Sequence, residues 1–187
     1  MSKGNLTISE MREADHQFLL DIWHIPQVMQ YADEFPRLRG WSKSDDFHVA
    51  WSVYQRKRVK LGKNYTQLIL WFDENTPIGE SFFAPLNEGY KFGKWEKPDN
   101  VISLMGDIKL LPQYWGRGLG SKGIKLVIRF VFTKTSCELF VVPPHRLNPA
   151  ASRVYDKVGF IPFTGMRSWR NHKIMEMTRK RYNEIYK

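Results

Sequence analysis

Apolar and polar residues alternate through Leu6-Thr7-Ile8-Ser9-Glu10-Met11, the period of a half-buried strand. The period then lengthens. Asp15 stands at an N-cap position, and Phe18, Leu19, Ile22 and Trp23 recur at helical spacing before Pro26 stops the run. A second short helix is expected around Val28, Met29 and Tyr31. Ser42-Lys43-Ser44-Asp45 resembles a capping box, which predicts a helix to about Arg58 with Phe47, Trp51 and Tyr54 on one side. Helices therefore fill the expected N-terminal third.

Two strands are predicted next, Tyr65 to Phe72 and Ile78 to Ala84, paired as a hairpin through Asp73-Glu74-Asn75-Thr76-Pro77. Pro85 to Asn100 is rich in Gly, Lys, Trp and Pro and shows no period, so it reads as a long loop bordering a substrate site. Val101 to Leu111 is a nearly continuous apolar run, broken by Ser103, Asp107 and Lys109. It predicts a central strand covered on both faces, with a bulge at Gly106. Beyond Pro112 a glycine-rich turn leads into a helix from about Gly120 to Thr133. Leu119, Gly123, Leu126, Val127 and Phe130 are expected on its inner face, and Lys122, Lys125 and Arg129 on its outer face. Glu138 to Val142 is another strand. Asn148-Pro149 supplies a cap and a first-turn proline for a helix that Gly159 stops, and a last strand is expected within His172 to Met177.

The chain shows no repeat, low-complexity tract or linker. A single domain over residues 1–187 is expected, since 42% hydrophobic and 14% aromatic residues suffice for one core. The lone Cys137 excludes an internal disulfide framework and multi-cysteine zinc sites. No stretch approaches the ~18 apolar residues of a membrane helix, and the N-terminus lacks an apolar leader core. A soluble, unprocessed protein of the reducing cytoplasm follows as the expectation. With 29 basic and 19 acidic residues the net charge is +10, which suits a polyanionic partner such as a phosphate-rich cofactor. The aromatics lie mostly at core spacing rather than interleaved with basic residues, so nucleic acid is not expected as a partner. The oligomeric state is open, and a homodimer is compatible with the sequence.

The segment Leu111-Pro112-Gln113-Tyr114-Trp115-Gly116-Arg117-Gly118-Leu119-Gly120 falls between a buried strand and a helix. Glycines at alternate positions let the backbone turn so that several N–H groups face one concavity at the positive end of the helix, a nest for pyrophosphate. The turn lacks the Gly-Lys-Ser/Thr ending of a P-loop, and its spacing is not the G-x-G-x-x-G of dinucleotide folds.

Gln113 to Gly118 resembles the Q/R-x-x-G-x-G/A signature of the GNAT superfamily of N-acetyltransferases. Asn148-Pro149-Ala150-Ala151-Ser152-Arg153-Val154-Tyr155-Asp156-Lys157-Val158-Gly159-Phe160 is similar to that family's N-x-x-A-x-x-x-Y-x-x-x-G-F helix. The resemblance spans Val101 to Phe163. It implies an α/β (α+β) GNAT fold, in which a central mixed, mostly antiparallel sheet has splayed fourth and fifth strands and helices on both faces. It also implies an acyltransferase that uses acetyl-CoA as cosubstrate, with no metal, to acetylate an amine.

Carried onto this sequence, the resemblance implies that Gln113, Tyr114, Trp115, Gly116, Arg117, Gly118, Leu119, Gly120 and Ser121 form the pyrophosphate site. Leu110 and Leu111 would pair with the pantetheine arm, with Asn148 and Ser152 also on the cofactor and Tyr155 near the sulfur as general acid. Arg117, Lys122 and Arg153 are further candidates for the phosphates. The group that takes the amine proton is left open among Asp107, Glu80 and His145. Asp107 interrupts an apolar strand, where an unpaired carboxylate is costly.

Within the superfamily, Tyr114 to Gly120, Ile124-Lys125-Leu126-Val127 and Pro144-His145-Arg146-Leu147-Asn148-Pro149 resemble stretches of the aminoglycoside 6-prime N-acetyltransferases. The sequence departs from them where Pro143 and Gly106 replace acidic residues. Asp21 to Tyr31 instead resembles the RimJ/RimL-like enzymes that acetylate protein N-termini. A degenerate domain that binds acyl-CoA or RNA without catalysis is the alternative of another class, and the intact Asn148 and Tyr155 oppose it.

Overall fold

Alternation in the first strand is matched across the sheet. In the computed structural model, which describes residues 5–31, 47–73, 75–86, 101–165 and 168–187, β1 (Leu6–Glu10) lies antiparallel to β2 (Thr66–Phe72). β2 returns into β3 (Thr76–Pro85) through a turn in which Asp73 takes a left-handed φ of 52°. The capping sequence at 42–45 and the loop residues 87–100 lie outside the described residues.

Alternation also assigns the faces. Leu68, Phe83, Leu104 and Phe140 share a core with one set of helices, whereas Ile69, Phe82 and Ala84 pack on the opposite face with Leu19 and Tyr54. Those two residues belong to α1 (His16–Trp23) and α3 (Phe47–Leu61), with the short α2 (Pro26–Met29) between them and Pro26 at its start. Asp15 precedes α1 but does not cap it; its carboxylate accepts from the Arg12 N–H at 2.8 Å and closes the preceding turn.

The expected central strand is two pieces, β4 (Ser103–Gly106) and β5 (Lys109–Leu110). They keep one register against β3, with Gly106 opposite Phe83 and Lys109 opposite Glu80. No residue is inserted, so the bulge expected at Gly106 is absent. The ladder lapses at residues 107–108, where the Asp107 N–H still donates to Phe82 O at 3.2 Å. Gly106 is needed for a different reason: a Cβ there would lie 2.8 Å from Phe82 O and 2.8 Å from Phe83 Cβ. The register shift in this part of the sheet falls between Leu70 and Trp71.

Past Gly106 comes α4 (Leu119–Lys134), which buries Leu119, Gly123, Ile124, Val127, Ile128 and Val131. Leu126 and Phe130, expected on that inner face, are only half-buried, while Lys122, Lys125 and Arg129 are exposed as expected. β6 (Leu139–Val142) then pairs with β4 in parallel, from Ser103 opposite Leu139 to Met105 opposite Val141. Beyond Met105 this pairing ends, and β5 pairs with β3 alone.

Asn148 caps α5 (Pro149–Lys157), its Oδ1 accepting from the Ala151 N–H at 3.1 Å, and Gly159 follows the helix with φ 96°. β7 (Ile161–Pro162) and β10 (Met175–Thr178) complete the sheet in the order β1-β2-β3-β4-β6-β10-β7, while β8 (Ser168–Trp169) and β9 (His172–Lys173) form a separate hairpin. The strand expected within His172 to Met177 is thus two strands.

A C-terminal helix, α6 (Arg179–Tyr186), was not anticipated. Its charged sequence hides the contacts that hold it: Tyr182 stacks on Phe132 at 4.8 Å, and the Arg179 guanidinium donates to Phe132 O at 2.8 Å. No helix of the described residues is long and apolar enough to cross a membrane.

Because β3 backbone blocks the space beside Gly106, Gly106→Ala is expected to lower unfolding free energy by about 1–3 kcal/mol, the usual cost of overpacking. Urea denaturation measures it, and an unchanged midpoint would show that β3 yields freely.

Candidate active site

Leu119 begins α4 after a turn built on two left-handed residues, Gly116 at φ 71° and Gly118 at φ 74°, conformations that side chains disfavour. No side chain caps the helix, and the first residue of its body to bond back is Lys122, whose N–H donates to Gly118 O at 3.3 Å. The N–H groups ahead of it are the orphan donors of a helix N-terminus, where the helix dipole also favours an anion. Space beside Gly116 and Gly118 is open within 4 Å. Gly120 is a different case. It is not left-handed, and a Cβ there would make only ordinary contacts with Val154 and Leu110, at 3.7 and 3.9 Å.

This turn forms one end of a cavity of about 600 Å³ beside the β5 edge, past the last residues at which β4 pairs with β6. Tyr114, Trp115, Gly116, Gly118, Gly120 and Ser121 line it from the turn, and Leu110 lines it from the β5 edge. Asn148 and Tyr155 face it from α5. All of these were expected at the site. Arg153, a further candidate for the phosphates, is on the wall as well, whereas Leu111, Gln113, Arg117, Leu119, Lys122 and Ser152 are not. Leu111 donates its N–H to Ile78 O at 2.9 Å, Gln113 is exposed, and Leu119 is buried with Leu70 and Ile78. Arg117 lies over the rings of Phe72 and Tyr114, at 5.9 and 5.5 Å. Ser152 turns to the buried side of α5, where its hydroxyl has no hydrogen-bond partner among the described residues.

The sequence reading missed part of the wall. Gln27, Val28, Gln30 and Tyr31 reach the cavity from α2 and the residues just after it, as do Ile108 and Lys109 from the central strand and Lys157 from α5. A short helix with exposed polar residues carries no local mark of a site. Only its crossing over the sheet brings it there.

Tyr155 is the buried titratable group of this wall, 4% exposed and packed edge-on against Phe160 at 5.4 Å. Burial pushes its hydroxyl far above the ordinary phenol range, and the charge of Asp107 adds to the shift, against the opposing effects of Lys109 and of a hydrogen bond with the Ile108 backbone. The phenol therefore keeps its proton at neutral pH. Asn148, on the same helix, spends its carbonyl on the cap and has its amide nitrogen left to donate.

A sequence profile for the acetyltransferase (GNAT) domain matches residues 5–161. The chain belongs to the GNAT acetyltransferase family. Solved structures of similar fold include aminoglycoside acetyltransferase AAC(6')-Ib in complex with coenzyme A, at a TM-score of 0.72 and 19% identity, covering 98% of this chain and 100% of that one. Spermidine N-acetyltransferase from Vibrio cholerae, in complex with CoA and spermine, aligns at a TM-score of 0.68 and 16% identity over 95% of this chain and 98% of that one.

In this GNAT acetyltransferase the candidate bases are placed very differently. Glu80 is fully buried on β3 and already accepts hydrogen bonds from Gln67 Nε2 at 2.6 Å and Trp23 Nε1 at 3.2 Å, with Lys109 Nζ at 3.0 Å. Burial raises its pKa, an effect that Lys109 opposes. Asp107 shares the same ammonium through Oδ2 but is 38% exposed at its side chain. Burial would pull the Lys109 ammonium down, yet Asp107 and Glu80 outweigh it and hold the group protonated. His145 stacks on Tyr31 at 5.2 Å, and its Nδ1 accepts from the Leu147 N–H at 3.1 Å. Its neutral ring thus presents Nε2–H, a donor rather than a base. Among the described residues no group of three or more His, Cys, Asp or Glu is placed to hold a metal ion.

Removing one partner of a buried ion pair leaves the other charge without compensation, so Lys109→Ala is expected to cost about 3–5 kcal/mol of stability. Urea unfolding tests this, and a loss below about 1 kcal/mol would mean that Glu80 takes up a proton or finds water instead.

Proposed function

We propose that this chain is a single-domain cytoplasmic enzyme that transfers an acetyl group from acetyl-CoA to a primary amine of a small molecule, with Tyr155 as general acid. The observation that carries this reading is that an uncapped glycine nest and a buried, proton-bearing phenol face one cavity beside the β5 edge. The nest fits a diphosphate, since Gly116 and Gly118 leave its mouth open and the α4 N–H groups lack partners. A cavity of about 600 Å³ fits the arm that follows.

Acetyl-CoA supplies the activated thioester. Backbone N–H groups from Gly116 to Ser121 hold the diphosphate, those of Tyr114 and Trp115 being spent on Leu111 O and Pro112 O, and Arg153 and Lys157 on the cavity wall face the phosphates of the nucleotide end. The β5 edge at Leu110 and the amide nitrogen of Asn148 bind the pantetheine arm. The Leu110 carbonyl also accepts from the Trp115 indole at 2.8 Å, so one of its lone pairs remains for the arm. Tyr155 donates its proton to sulfur as the C–S bond breaks. Asp107, half-buried and joined to the cavity wall through Lys109, takes the proton that the attacking ammonium must lose. Glu80 serves as the anchor of Lys109.

Similarity to aminoglycoside and spermidine acetyltransferases supports an amine as acceptor. A peptide N-terminus is the second reading, favoured because Gln27 to Tyr31, within the stretch that resembles the RimJ/RimL-like enzymes, reaches the cavity.

Thiol release from acetyl-CoA is the test, run with spermidine, kanamycin, simple primary amines and a peptide with a free N-terminus. A small amine is expected to react fastest. A preference for the peptide would replace the first reading with the second, and tight CoA binding without turnover on any amine would mark a non-catalytic acyl-CoA-binding domain. Tyr155→Phe is expected to lower kcat by roughly 100-fold, in the range of general acid catalysis, with CoA affinity held within about threefold. Undiminished turnover would remove Tyr155 from the reaction.

A further inference from the structure

Glu80, Gln67, Trp23, Asp107 and Lys109 form one cluster, buried at Glu80 and Gln67 and partly open at Asp107, and Lys109 is the member that reaches the cavity wall. Its ammonium is held by Glu80 Oε1 at 3.0 Å and by Asp107 Oδ2, and it lies 5.0 Å from the centre of the Trp23 ring. Two of its three N–H donors are therefore engaged by carboxylates. The neighbouring residue, Ile108, lines the same cavity wall as Lys109 and Tyr155. β5 thus carries a fixed cation on the wall that the phenol faces.

We propose that Lys109 is a positioning residue for acyl transfer, its clamped ammonium steadying the phenolate left when Tyr155 passes its proton to the departing thiolate. The proposal rests on the reading of Tyr155 given above. The amine nitrogen bonds to the carbonyl carbon, the C–S bond breaks, and sulfur takes the Tyr155 proton. The proton lost by the amine finally restores the phenol, and Lys109 keeps all its own protons throughout. Burial, the charge of Asp107 and, least, that of Glu80 oppose a phenolate at Tyr155, while Lys109 acts in its favour. A surface lysine would do this poorly, because water screens it and its chain is free to move. Here two carboxylates and an indole hold the charge in place.

The bland alternative is that Lys109 only neutralises Glu80. Glu80→Gln with Lys109→Met separates the two, since the double variant removes the ion pair while keeping the net charge of the cluster. It is assayed with the best amine of the panel and two acetyl donors, acetyl-CoA and para-nitrophenyl thioacetate, whose acidic thiol leaves without needing a proton. The expected result is a loss of roughly 10- to 100-fold in kcat with acetyl-CoA, the scale of an electrostatic contribution to proton transfer, and a loss of less than about threefold with the aryl thioester. Wild-type rates with both donors, or an equal loss with both, would overturn the proposal.

Should the double variant fail to fold, Lys109→Gln and Lys109→Arg are compared by the same ratio between donors. Arginine is expected to restore most of what glutamine loses with acetyl-CoA, and no restoration would count against a role for the charge. Tyr155→Phe runs alongside. If it is as active as wild type, the reading of Tyr155 has failed; if it is impaired while the double variant is not, only the proposal for Lys109 has.

Discussion

Parallel pairing between β4 and β6 lasts from Ser103 to Met105 and then stops, because past Gly106 the chain leaves the ladder and rejoins only β3. Strands that part leave backbone groups and side-chain ends facing a gap. Such a gap has to be filled or used. In this protein the β5 edge, the uncapped N-terminus of α4 and the Tyr155 face of α5 enclose a cavity past that point, and α2 and the residues after it cover part of the remainder. The cavity is thus a consequence of sheet geometry rather than of any one side chain.

The gap also explains why a charged cluster is tolerated inside. Glu80 on β3 and Lys109 on β5 face one another across an antiparallel pair, so their meeting is set by register. Glu80 is satisfied by donors from α1, β2 and β5 together, which binds the helical layer to the sheet beneath the cavity. Buried ion pairs are poor sources of stability, because desolvation offsets most of their attraction. Their persistence at a site is more readily explained by the chemistry they serve. Cys137 is a useful contrast: it is also fully buried, its thiol pushed up to about 12 by burial, and it packs as an inert part of the core.

Much was legible in the chain because the signals were local. Asn148 and Pro149 open a helix wherever they fall in that order, and Gly116 and Gly118 permit a turn that other residues resist. Alternation predicted β1, and the turn residues between them predicted that β2 and β3 pair as a hairpin. The sequence misled where an outcome depended on a neighbour far along the chain. Gly106 reads as a bulge but answers to the crowding of Phe82 and Phe83. Glu80, Asp107 and His145 read as equivalent bases until their partners were in place. The C-terminal helix, half of it charged, owes its position to Phe132 and to carbonyls near the end of α4.

By itself, then, the sequence determined the order of the elements, the nest before α4 and the helix that carries Asn148 and Tyr155, since each of these follows from backbone preferences over a few residues. Only the tertiary structure decided which expected residues share a wall, that α2 contributes to it, and that Lys109 stands clamped between two carboxylates on the wall that Tyr155 also lines. Burial and long-range hydrogen bonding are properties of the assembled sheet. No window of the sequence contains them.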